Sequence, residues 1–136
     1  MADTFELEVT TPERLLIREN VSEAQIPAKN GYIGVLPGHA PLLSELGTGF
    51  MYYVAGGRRR YFALHGGFVE VLPDRVRVLA NIGERAEEID VERARKARER
   101  AEGELINPAL GVDPAVALAA IERAEARLEA AAHKEA

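Results

Sequence analysis

The chain of 136 residues is 47% hydrophobic and 29% charged, enough for one compact domain with an appendage but not for a second full domain. Its formal net charge of -5 excludes a grip on duplex nucleic acid through many lysine and arginine contacts to phosphate, while leaving room for a local anion site. With no cysteine there is no disulfide and no thiolate metal site, so stability rests on packing.

The N-terminus MADTFELEVTTPERLLI has neither a basic n-region nor an unbroken apolar core, so no secretory signal is expected. No apolar run approaches the roughly 20 residues that span a bilayer, so any membrane attachment is expected through a partner rather than by insertion. Phe5, Leu7 and Val9 alternate with Glu6, Glu8 and Thr10, the period-two pattern of a half-buried strand that Pro12 closes. Short apolar pieces follow, with hairpin signals at Asn30-Gly31 and Gly56-Gly57 and a turn at Pro73-Asp74. Close-spaced short strands without helical crossovers predict an antiparallel β-sandwich over residues 1–86. Its expected core is Phe5, Leu7, Val9, Ile26, Ile33, Val35, Leu64, Phe68, Val69, Val71, Val76, Val78 and Ile82.

From about Asp90 the alphabet turns to Ala, Glu, Arg and Leu, and apolar residues recur every three or four positions. Val91, Ala94, Ala97, Ala101 and Leu105 form one stripe, with Asp90 as N-cap. Asn107-Pro108, Gly111 and Asp113-Pro114 break the helix and restart it, with Asp113 as N-cap and Pro114 in the first turn. Ala117, Ile121, Ala124, Leu128 and Ala131 make the second stripe. Residues 87–136 therefore predict an antiparallel helical hairpin. Alanine burial yields far less than the roughly 1.5 to 3 kcal/mol of a buried Leu or Ile, so this hairpin is expected to be weakly packed and able to open.

Chemical motifs are sparse. His39, His65 and His133 are not in ligand spacing, and there is no H-E-x-x-H, Walker glycine loop or G-x-S-x-G elbow. His39 and His65 read as structural turn residues, His133 as an exposed tail residue, and Arg58, Arg59 and Arg60 as a solvated hairpin end. In EEIDVERARKARER, Glu92 with Lys96, Arg95 with Glu99, and Arg98 with Glu102 are spaced for exposed ion pairs worth about 0.2 to 0.5 kcal/mol. Arg93 and Arg100 share a face, and Arg93 has no carboxylate four residues on; Arg123 and Arg127 share a face of the second helix. Guanidiniums converging from two antiparallel helices without matching carboxylates suit a phosphate ligand.

GYIGVLPGHAPLL, GGFVEVLPDRVRVLA, ERAEEIDVERA and the two-helix tail, in that order and over essentially the full length, resemble the epsilon subunit of the bacterial F-type ATP synthase. The resemblance implies a non-catalytic central-stalk subunit, peripheral on the cytoplasmic face of the inner membrane. Its sandwich would contact the gamma subunit and the c-ring, coupling proton flow to ATP synthesis, with the c-ring side at Tyr32, Pro37, Gly38 and His39. Its helices would permit ATP hydrolysis when folded on the sandwich and inhibit it when extended into the alpha/beta head. No cofactor is required. Some members bind ATP as a regulatory ligand through an I-D-x-x-R-A motif and arginines of both helices, which here stand at Ile89, Asp90, Arg93 and Ala94, with Glu84, Arg100, Arg123 and Arg127. The competing reading is a stand-alone β-sandwich binding module with a helical dimerisation hairpin.

Overall fold

The computed structural model describes residues 3–133. Its strands are β1 Phe5–Thr10, β2 Leu15–Val21, β3 Glu23–Ala28, β4 Gly31–Val35, β5 Leu42–Glu45, β6 Thr48–Ala55, β7 Arg58–Val71 and β8 Arg75–Arg85. They form one sheet in the order β2-β1-β8-β7-β6-β3-β4, with β5 on β7. The sheet closes over a core drawn from nearly every strand, as a sandwich does. β7 is long enough to carry two partners on one edge: β5 pairs from Leu42↔Val71 to Glu45↔Phe68, and β6 resumes the same register at Thr48↔His65.

The expectation of purely antiparallel pairing fails at one place. β1 and β8 run parallel, from Glu6↔Arg75 to Thr10↔Leu79. A parallel pair needs a long crossover, and here six intervening strands supply it in place of a helix. Gly56 and Gly57, at φ 58° and 76°, make the two-residue turn between β6 and β7 that the sequence signals. At the other hairpin the loop is Lys29-Asn30, one residue earlier than the Asn-Gly pair suggests, because Gly31 already pairs with Ala28.

Ten of the thirteen expected core residues are buried and Ile33 packs partly against them, but Phe68 is 51% and Ile82 41% exposed. Val69 and Val71 take the inward parity of β7, which turns Phe68 outward beside its pairing partner Leu79. Ile82 sits where β8 leaves the core and its residues become exposed or half-buried.

A 3-10 turn, Ala86–Glu88, leads from β8 to α1, Val91–Ile106, and α2 spans Pro114–Ala132. Asp90 caps α1 by accepting from the Arg93 amide, and Asp113 caps α2 by accepting from the Ala115 amide, with Pro114 in the first turn. Between them a second 3-10 turn, Pro108–Leu110, ends at Gly111, whose left-handed φ of 76° reverses the chain. The helices pack on each other through a seam in which Ala94, Ala101, Ala117 and Ala124 are fully buried. Ala97, expected in that seam, is exposed. The bulkier Val91, Leu105, Ile121 and Leu128 reach only half-burial. The pair is therefore held by small side chains at close approach, and the hydrophobic contribution per residue is low.

Candidate functional site

α2, rather than α1, lies on the sandwich, over β6 and β7. It does so with a second apolar stripe that the one-face reading misses: Ala126 and Ala130 are buried, with His133 three residues on. Ala131, expected to face α1, belongs to the same cluster. This stripe meets Tyr61, Ala63, Phe50 and Tyr52. The His133 ring is exposed, as expected of the tail, and one face stacks on Tyr61 at 4.4 Å between centroids and 14° between planes.

A signal for this docking was present in the sequence. Tyr61-Phe62-Ala63-Leu64 is an unbroken apolar run, and all four are buried: Phe62 and Leu64 point into the sandwich core, Tyr61 and Ala63 into the cluster beneath α2. A strand buried on both faces loses its alternation.

Where α1, α2 and the end of β8 converge, a cleft of about 360 Å³ is lined by Glu84, Glu88, Asp90, Arg93, Ala94, Ala97 and Arg127. Five of the eight residues expected at a nucleotide site thus share one cavity: Glu84, Asp90, Arg93, Ala94 and Arg127. Ile89 lies beneath it, 6% exposed and packed with Ala86 in the cluster under α2. Arg123 lines a separate small cavity with His65 and Ile82. Arg100 is outside the cleft, its side chain 83% exposed and loosely paired with Glu104 at 3.9 Å.

The premise of unmatched guanidiniums also needs correction. Arg127 Nε donates to Glu84 Oε1 at 2.5 Å. Glu88 takes a two-pronged contact from Arg14 at 2.8 and 2.9 Å, which holds its carboxyl below the usual range. Only Arg93 of the two guanidiniums lining the cleft has no ion pair among the described residues. Further along α1 the surface pairing is rearranged: Arg98 meets Glu102 as spaced, at 3.8 Å, but Arg95 reaches back to Glu92 at 2.7 Å, leaving Lys96 and Glu99 without these partners.

The residues expected to face the c-ring do not form one patch. Pro37, Gly38 and His39 lie in the β4–β5 loop, where the Gly38 amide donates to the Pro73 carbonyl at 2.9 Å and ties that loop to the β7–β8 turn. Tyr32 instead stands against the hairpin, sharing a cleft with Thr48, Gly49, Glu122, Glu125 and Glu129 and packing its ring 5.7 Å from Phe50. Burial raises its phenol pKa, with Glu129 adding to the effect.

No helix of the described residues is long and apolar enough to cross a membrane. The family model for the ATP synthase delta/epsilon chain β-sandwich domain matches residues 4–86, and that for the long α-helix domain of the same chain matches 87–132. The ATP synthase epsilon chain of Solibacter usitatus is 63% identical over 134 residues, covering 98% of this chain and 100% of its own. The chain belongs to the ATP synthase epsilon-chain family, a component of the central stalk. The epsilon chain of Nitratidesulfovibrio vulgaris strain DP4 is 45% identical over 128 residues, 94% of this chain and 96% of its own. Among solved structures, a chain of the Euglena gracilis mitochondrial ATP synthase assembly of OSCP, F1 and c-ring superposes with a TM-score of 0.84 at 29% identity, covering 98% of this chain and 84% of that one. This family's β-sandwich followed by helices is the architecture described above.

Proposed function

We propose that this epsilon chain is a non-catalytic rotor subunit that seats its sandwich on the gamma subunit and the c-ring of a proton-translocating ATP synthase, peripheral to the cytoplasmic face of the inner membrane. Its hairpin regulates ATP hydrolysis: docked on the sandwich it permits turnover, and extended into the alpha/beta head it inhibits. The observation that carries this reading is the make-up of the docking surface. α2 is held by alanines and a histidine ring over an aromatic face, plus one ion pair to Glu84, a contact set small enough to be exchanged for another partner.

ATP fits the cleft on one condition. Its size lies within the roughly 300–1,000 Å³ of small-molecule sites, and Arg93 offers a guanidinium without an ion-pair partner among the described residues. The three carboxylates Glu84, Glu88 and Asp90 oppose a triphosphate, so Arg127 must exchange Glu84 for a phosphate oxygen while Arg14 continues to neutralise Glu88. Asp90 already spends one carboxylate oxygen on the Arg93 amide. ATP bound only by the docked hairpin stabilises that state by about 2.7 kcal/mol at a hundred times its dissociation constant, and scarcity of ATP releases the hairpin. Calorimetric titration of the full chain with ATP tests the site. Saturable heat lost in Arg93→Ala and Arg127→Ala is the expected result, and no heat at millimolar ATP removes the nucleotide from the account.

A further inference from the structure

His65 lies on β7 directly below α2, a position that the site described above does not use. Its Nδ1 is 2.6 Å from Thr48 Oγ1 on β6. With Ala63, Leu64, Ile82 and Glu84 of the sandwich and Arg123, Ala126 and Arg127 of α2, it lines a half-open cavity of about 10 Å³, at most room for a single water. The charges facing the imidazole from α2 are Arg123 and Arg127, with Glu122 opposing them. From β8 the facing charge is Glu84, which is committed to Arg127. Among the described residues no carboxylate hydrogen-bonds to His65 and Arg123 forms no ion pair. A proton added here becomes a third cation beneath α2, at a half-buried position facing two guanidiniums.

We propose that His65 is a pH sensor for the hairpin: the neutral imidazole accepts α2 on the sandwich, and the imidazolium expels it by facing Arg123 and Arg127. Burial, followed by Arg123 and then Arg127, holds the imidazole below its ordinary pKa of 6.5 while the hairpin is docked. Undocking removes the cover and both arginines, returning the group to its ordinary value. The undocked state therefore binds the proton more tightly. Docking has its full stability above about pH 6.5 and weakens as pH falls below it, by up to about tenfold per pH unit until the docked imidazole itself protonates. Thr48 does not oppose the change, because its hydroxyl donates to a neutral Nδ1 and accepts from a protonated one.

Because the chain has no cysteine, a pair of dyes on Asp74→Cys and Glu99→Cys, both at exposed positions, reports the distance from sandwich to hairpin in the full chain. The titration is run from pH 8 to pH 5 without nucleotide, so its outcome is independent of whether ATP binds. The expected result is a docked fraction that falls with acidification, a response flattened in His65→Gln and kept in His133→Gln, the other histidine at this interface. His65→Lys, a permanent cation, is expected to be undocked at every pH while the melting of its sandwich strands stays cooperative. A pH response retained by His65→Gln, or a His65→Lys hairpin that stays docked, overturns the proposal.

Discussion

Removing the Arg127–Glu84 contact is expected to loosen the hairpin without unfolding the sandwich. The side chains are 28% and 31% exposed, so the pair lies between surface and interior. Exposed pairs contribute about 0.2 to 1 kcal/mol, and hydrogen bonds to charged groups about 1.5 to 3. Partial solvent screening places this one near 1 to 1.5 kcal/mol, a change of roughly 5- to 12-fold in the docking equilibrium. A double-mutant cycle isolates it: Arg127→Met keeps the aliphatic stem over Ala63 and Leu64, Glu84→Gln keeps the shape of the acceptor, and the combined variant closes the cycle. Docking is read from hydrogen exchange of the α2 amides, with β7 core amides as the internal reference. A coupling energy indistinguishable from zero, or equal loss of protection in β7, refutes the reasoning. In the ATP reading Glu84→Gln has a second effect of opposite sign, since it releases Arg127 and removes a carboxylate, so nucleotide binding should tighten.

Ala130→Leu forces an isobutyl group into a fully buried position in the cluster containing Tyr61 and Ala63, and overpacking should cost about 1 to 3 kcal/mol of docking, visible as raised α2 exchange rates with the sandwich melt unchanged. Glu88 has its carboxyl lowered first by the Arg14 hydrogen bonds, so the tether it provides is present above the ordinary 4.5 and is lost as pH falls through the lowered value. A carbon-detected titration should find Glu88 below its ordinary value, and Arg14→Gln should return it upward. The Tyr53 phenol, buried and next to Glu19, is pushed up to about 12. Its neutral form stabilises the sandwich below about pH 10, and that contribution fades as pH rises towards 12; ultraviolet titration should show one late phenol that Tyr53→Phe removes. Gly67, at φ 111°, has no room for a Cβ against the Leu79 carbonyl, so Gly67→Ala should lower the melting point of the sandwich.

What local chemistry dictates was legible from the residues. Asp90, Asp113 and Pro114 act within three positions of themselves, and their caps stand where the spacing puts them. Alternation placed most of the core, and the exceptions have local causes: Phe68 shares parity with the outward Glu70, not with Val69 and Val71. The site was legible only in part. Arg127 meets Glu84 across 43 positions and Arg14 meets Glu88 across 74, and no periodicity reports a partner at that range. An alanine reads the same on either face of a helix, so Ala126 and Ala130 were not separable from the seam to α1, although the unbroken Tyr61–Leu64 run marked where a cover must lie.

Regulation by the hairpin requires it to leave the sandwich. Tyr32→Cys and Glu129→Cys line one cleft between β4 and α2 and can be joined by a short reductively cleavable linker. In an assembled ATP synthase carrying this pair, the joined form is expected to hydrolyse ATP at the uninhibited rate under every condition, and reduction of the linker to restore inhibition. Equal hydrolysis before and after reduction would contradict regulation by undocking.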